Sequence, residues 1–268
     1  MANPTQSLGV FRIVGRAFAA AFRNLPVLVV LALITAVPEG LLWSASVSTL
    51  QGLVSSWFPA HGILLDPQQA QIVPLVLADL PVMPWRFVAT ALVAPAAIHV
   101  FLRDRDARAG GSTPTSAGRA TLADALNFGL SRWRRLIGPV TIAGLVIWIG
   151  SIVIIPAILY TLFWAFLEPV AALDDKVKQV LRRSTRLTRG RRGRIFRTYL
   201  LFLPWWGWYA VIGAFVLEGA SWWVRLGVMV ADEFVGIVIL LSLLQLYLER
   251  MEQLEEARRL KEAAGTPA

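Results

Sequence analysis

Apolar residues run in long uninterrupted blocks along this chain, at about 25–50, 81–102, 136–173, 195–217 and 226–248. A helix needs about 20 such residues to cross a hydrocarbon core of ~30 Å, so each block is a candidate membrane span. The block 136–173 is too long for one crossing. As a single helix at ~1.5 Å per residue it would reach roughly 57 Å. Gly150, Ser151 and Pro156 interrupt it near its middle, which predicts two spans and a tight turn around 150–156. The expectation is an all-α, polytopic integral membrane protein with six transmembrane helices, at about 25–48, 82–102, 136–155, 157–173, 195–217 and 228–248. These form one membrane domain over 1–248, and 249–268 is a charged, helix-prone cytoplasmic tail.

The polar segments between the blocks share a design. "SLGVFRIVGRAFAAAFRNLP" from Ser7, "TLADALNFGLSRWRRLIGP" from Thr121 and "KVKQVLRRSTRLTRGRRGRI" from Lys176 each lead into a span 15 to 19 residues on. In the first, Phe11, Val14, Phe18, Phe22 and Leu25 share one helical face, and Arg12, Arg16 and Arg23 lie together on the other. The second and third follow the i, i+3, i+4, i+7 spacing of an amphipathic helix. In the third, Val177, Val180, Leu181, Ser184 and Leu187 form the apolar side, and Gly190 ends the helix. A small residue stands eight positions into each copy: Gly15, Gly129 and Ser184. The pattern predicts three hairpins of spans, each preceded by a cytoplasmic amphipathic helix lying in the headgroup plane.

Composition agrees with this reading. Hydrophobic residues make up 56% of the chain and charged residues 16%, against about 25% charged in a soluble domain. Mean hydropathy is +0.61. Cysteine is absent and only His61 and His99 are present, which excludes disulfides, thiolate sites and a histidine metal cluster. The net charge of +9 is distributed unevenly. With six spans and the N-terminus inside, the inner segments hold all the Lys and Arg except Arg86 and Arg225. Positive charge resists export, so both termini are expected in the cytoplasm, in a cell (inner or cytoplasmic) membrane. Topology then accounts for the basicity, and nucleic acid is not an expected partner. The start of the chain interleaves Arg12, Arg16 and Arg23 with apolar residues, unlike the basic-then-apolar layout of a secretory signal.

The outer segments are less basic. Asp66 can cap a short helix with Pro67 at its first position, and "EGASWWVR" at 218–225 places paired Trp at the interface. Asp232 and Glu233 are expected to begin the regular part of the last span.

In the third copy, "PVAALD" at 169–174, "VLRRSTRLTRG" at 180–190 and "RIFRTYLL" at 194–201 stand in series. They resemble the signature of the membrane domain associated with glycerophosphoryl diester phosphodiesterases, and of related six-span families. Asp174 falls at the acidic position, Ser184 at the Ser, Leu187 at the Leu and Gly190 at the Gly. Val180 replaces the usual Ala, and Thr185 stands where an aromatic is common. The likeness covers about the last 100 residues well and the rest in layout. It implies an integral membrane module, not phosphodiesterase activity, which in such proteins belongs to a separate soluble domain.

Candidate chemistry is sparse. Gly-x-Ser-x-Gly, His-Glu-x-x-His and a phosphate loop are all missing, so the chain is expected to be non-enzymatic and to use no cofactor or metal. Ionisable residues inside spans are functional suspects. Glu39 sits deepest: either it is an intramembrane proton or cation site, or a partner of Arg86, or the Pro38-Glu39-Gly40 break ends the helix and lets it reach outer water. Glu168 and His99 lie about one turn from the inner ends of their spans and are expected to reach headgroups or nearby arginines. Arg182, Arg183, Arg186, Arg189, Arg191, Arg192 and Arg194 are candidates for binding anionic lipid headgroups on the cytoplasmic side. The leading expectation is a lipid-interacting or scaffolding module with an unidentified protein partner. The alternatives are a small-solute or ion transporter using Glu39, and an accessory of lipid metabolism.

Overall fold

The computed structural model describes residues 9–63, 65–66, 70, 73–74, 77–110, 120–151, 154–174, 179–215 and 220–263. Among them every regular element is helical. In chain order these are α1 (Val10–Arg23), α2 (Leu25–Gly52), α3 (Asp79–Ala109), α4 (Leu122–Ser151), α5 (Ile154–Phe163), α6 (Leu167–Leu173), α7 (Val180–Thr188), α8 (Arg192–Phe215) and α9 (Trp222–Ala263). A π-helical turn at Leu53–Trp57 carries α2 on into Phe58–Ala60. Four stretches are long and apolar enough to cross a membrane: Leu25–Ala60, Leu80–Ala109, Ile154–Leu173 and Trp222–Leu260. The chain is therefore a membrane protein by the length and composition of its helices.

Several helices carry an internal proline, at Pro38 in α2, Pro84 and Pro95 in α3, Pro139 in α4 and Pro204 in α8. Neighbouring helices in a membrane bundle satisfy the carbonyls that proline frees, so such prolines need not end a span. That is why the Pro38-Glu39-Gly40 sequence does not terminate α2, which continues unbroken past it.

Packing rests on small residues. Ala91, Ala96 and Ala97 of α3 and Ala125 and Ala143 of α4 are buried where these two helices make the most extensive contact in the fold. Without hydrophobic drive between helices in lipid, close backbone approach is what stabilises such an interface. The approach is tightest at Gly129, where a β-carbon would lie 2.6 Å from the carbonyl oxygen of Leu92. At Gly144 it would overlap the Phe87 ring, at 2.2 Å. From α3 the bundle continues through α2 to α9, and α8 and α1 pack against α9.

The structure corrects four expectations about the helices. The second amphipathic segment is not a separate interfacial helix, because α4 runs straight from Leu122 into the apolar stretch. Its start is held by a reciprocal cap. The Thr121 hydroxyl accepts from the Asp124 amide at 3.1 Å, and the Asp124 carboxylate accepts from the Thr121 amide at 3.3 Å. Hydrogen bonding to its carboxylate from the Thr121 side chain, and next from the Thr121 amide, holds the Asp124 carboxyl below its ordinary range.

The apolar face of α1 is also different. Ile13, Val14, Ala17, Ala20 and Ala21 are buried against the bundle, while Phe11, Phe22 and Leu25 are exposed. Phe18 stacks on Phe202 of α8, and the Phe22 ring lies 6.1 Å from that of Phe234 in α9. Thus α1 docks on α8 and α9, and only its outer flank is free for lipid.

The expected span at 157–173 falls within the candidate span Ile154–Leu173, but not as one continuous helix: α5 ends at Phe163 and α6 begins at Leu167. Finally, α9 begins at Trp222, so Asp232 and Glu233 lie about ten residues inside the helix and not at its start. The charged tail continues this same helix to Ala263. The expected turn at 150–156 falls between the end of α4 at Ser151 and the start of α5 at Ile154, and residues 152–153 lie outside the described residues. The proposed cap at Asp66 cannot be followed either, because Pro67 lies outside them too.

Candidate intramembrane polar site

Glu39 projects from α2, Arg86 from α3, and Asp232 and Glu233 from α9. All four stand at a similar level. Arg86 precedes Asp104 by about 18 residues, and Glu233 precedes Arg250 by about 17, so both lie roughly 26 Å along their helices from the basic end. Glu39 is only 6% exposed. Its Oε1 accepts two bonds from Arg86, from Nε at 2.8 Å and from Nη2. Its Oε2 is buried with no hydrogen-bond partner. Asp232 accepts from the Trp205 indole N–H of α8 at 2.9 Å. Glu233 is within electrostatic range of Glu39, Asp232 and Arg86. Three carboxylates therefore share one guanidinium at this level. They do not converge on a point that could hold a metal ion among the described residues.

Arg86 also lines a partly open cavity of about 330 Å³ bordered by α3, α4, α5, α6, α8 and α9. Glu168, Trp164 and Tyr199 form part of its wall. Glu168 was expected to reach arginines or headgroups. Instead it has no ion-pair partner among the described residues and faces this cavity. The interruption between α5 and α6 places it there, in the first turn of α6.

That interruption is held from α7. The Ser184 hydroxyl donates to the Phe163 carbonyl at 3.2 Å and accepts from the Phe166 amide at 3.2 Å. Thr188 donates to the same carbonyl at 3.3 Å. The Arg192 guanidinium lies 4.1 Å over the Phe163 ring. A broken helix inside a bundle leaves backbone groups that must find partners, and here side chains of a neighbouring helix supply them.

The arginine run divides into two sets. Arg191, 8% exposed, donates to Glu249 at 3.0 Å and also bonds Gln253; Arg194 donates to Glu249 at 2.8 Å. Arg183 lies 3.9 Å from the Asp174 carboxylate. These three and Arg192 tie the basic end of the bundle together. Arg182, Arg186 and Arg189 remain on the exposed side of α7. On the buried side are Val180, Ser184, Leu187 and Thr188, with Leu181 partly buried; Val177 lies outside the described residues. After Thr188 the chain turns at Gly190, whose φ of 82° only glycine adopts readily.

Other motif positions are structural. The Asp174 backbone carbonyl accepts from Arg135 of α4. His99 is not near headgroup arginines alone: its ring stacks on Phe128 at 4.8 Å, between Arg103 and Asp124.

Sequence reasoning singled out Glu39, Glu168 and the possible partner Arg86. It missed Asp232 and Glu233 as members of the site, because ending the span near them hid their depth. The apolar run directly before them, "LGVMVA" at 226–231, was the available signal. Comparison with family models, with curated proteins and with solved structures gave no match.

Proposed function

We propose that this protein is a six-span, non-enzymatic transport protein whose interior moves a proton or a small cation. The observation that carries the reading is the set of three carboxylates against one arginine inside the spans, with a buried oxygen of Glu39 unpartnered. Ionisable groups facing a bundle interior are costly in lipid and mark ion or proton paths in known membrane proteins. The broken span beside the cavity supports it too, since discontinuous helices commonly build transporter sites. Reconstituted protein should pass protons or cations across liposomes under an imposed potential. Glu39→Gln should lower that flux at least about tenfold, as expected when a charge-bearing site loses ~1.4 kcal/mol or more of ion stabilisation. Flux equal to wild type in Glu39→Gln counts decisively against a coupling role for Glu39.

The six-span count joins the apolar parts of α4 and α8 to the four longer stretches. The confinement of basic residues to alternate segments favours it, with both termini cytoplasmic in a cell (inner) membrane. Reporter fusions at positions 110, 190 and 268 should all report the cytoplasmic side; one reporting the opposite side breaks the six-span count.

A second reading has its own observation. The exposed face of α7 presents Arg182, Arg186 and Arg189 beside a buried apolar face. Such a helix suits an anionic leaflet, at roughly 1 kcal/mol per basic residue near the surface. It fits the expectation of a lipid-interacting module, and the resemblance of residues 169–201 implies only an integral membrane module. Replacing the three arginines by Gln should reduce copurifying anionic lipid severalfold and leave the flux in place. Unchanged lipid content removes this reading.

A further inference from the structure

We propose that the cavity between α5, α6 and α8 binds a small organic ammonium ion, with Glu168 as its counter-ion and Trp164 and Tyr199 as its aromatic wall. This rests on the transport reading only for its purpose; the binding itself stands on the cavity.

Charge points first to a cation. Glu168 has no ion-pair partner among the described residues, and the one guanidinium on the cavity wall, Arg86, is bonded to Glu39. Asp232 and Glu233 lie within electrostatic range of that pair and add no further cation to it. A bound cation gives Glu168 the counter-charge that it lacks among the described residues.

The wall then selects the kind of cation. Inorganic ions such as Ca²⁺ or Mg²⁺ require about six oxygen ligands. Here the walls are mostly aliphatic or aromatic, and the lining side chains that carry oxygen are only Thr90, Thr161, Glu168 and Tyr199, too few for such a shell. An alkylammonium needs no such shell. It is held by a carboxylate and by aromatic rings, whose π faces attract it. Trp164 is braced by a stacked Tyr160 at 4.9 Å, and Tyr199 by Trp206 at 6.3 Å, so both rings are fixed before a ligand arrives. The volume of about 330 Å³ lies at the small end of ligand pockets and suits a compact ligand.

Position adds a third argument. Glu168 is aimed by the break between α5 and α6, and that break is clamped by Ser184, which is fully buried. The carboxylate is held at the cavity by the fold.

The test uses the full chain in nanodiscs of phosphatidylethanolamine and phosphatidylglycerol, which carry no choline headgroup. Choline is the probe, and 3,3-dimethylbutan-1-ol is its neutral isostere. Equilibrium binding should be saturable at one choline per chain, with the neutral isostere at least about tenfold weaker. Glu168→Gln should weaken choline binding at least about tenfold, and Glu168→Asp should retain part of it. Arg186→Gln, remote from the cavity, should leave it unchanged. Equal binding of the isostere overturns the proposal and needs no variant. So does absence of saturable choline binding, or wild-type affinity in a folded Glu168→Gln. Flux that depends on Glu39 without choline binding leaves the transport reading standing and removes this one. Choline binding without flux does the reverse.

Discussion

Replacing Arg86 by methionine is expected to destabilise the fold by about 3 kcal/mol, the scale on which a buried pair fails when one partner is removed. The size follows from what is left behind. Glu39 is 6% exposed, and both Arg86 bonds go to its Oε1. Without them, neither carboxylate oxygen keeps a protein donor, and Asp232 and Glu233 add like charge nearby. The lower end of the range applies because the Arg86 side chain is itself 43% exposed. Glu39→Gln alone should cost less, since the amide removes the charge that needed the arginine. Combined with Arg86→Met it should recover at least about 1 kcal/mol, the sign of direct coupling between neighbours. Reversible unfolding in mixed micelles measures all three. Arg86→Met within ~0.5 kcal/mol of wild type means the pair is not what holds these helices together.

That pair also shows where the sequence was legible. Depth and charge identified Glu39 and named Arg86 as a partner, because lone charges in apolar blocks stand out without any structure. The positions of helices followed from apolar block length for the same reason. What could not be read was the course of helices through polar residues. A helix that begins ten residues before Asp232 looks in sequence like a span whose regular part begins at Asp232 and Glu233. The continuity of α4 was hidden by its three arginines, since an amphipathic segment and the membrane-bound turns after it share one helical period. The break between α5 and α6 is marked in the sequence only by Pro169, in the first turn of α6; its partners are Ser184 and Thr188, some twenty residues later in the chain. The arginine run was legible as a cationic stretch, but not its division between Glu249, Asp174 and solvent, which depends on α9 lying alongside.

The three small residues at equivalent places in the repeated segments give the second large effect, and they should not behave alike. Gly15 faces open space, with nothing within 4 Å of an added β-carbon. Gly15→Ala should therefore stabilise α1 by about 0.5–1 kcal/mol, the helical preference of Ala over Gly. Gly129 has the opposite surroundings. A β-carbon there meets the Leu92 carbonyl oxygen at 2.6 Å, and Leu92 and Ala96 side chains close behind it. The backbone of α3 cannot rotate out of the way as a side chain could, so α3 and α4 must separate. Overpacking of this kind costs about 1–3 kcal/mol, and it outweighs the propensity gain. Gly129→Ala should lower stability by about 1 kcal/mol net and Gly129→Val by about 3. Ser184→Ala strips the Phe166 amide of its acceptor in a fully buried site, and should cost about 1–3 kcal/mol with no propensity clash at all. A set measured by unfolding in micelles thus separates three physical causes at one repeat position. If Gly129→Ala stabilises as Gly15→Ala does, the close approach of α3 and α4 is not a feature of the folded protein. The signs also bear on the repeat itself. One small residue was useful in all three segments, but in α1 for its helix alone, in α4 for a neighbouring backbone, and in α7 for a hydroxyl that holds the cavity wall.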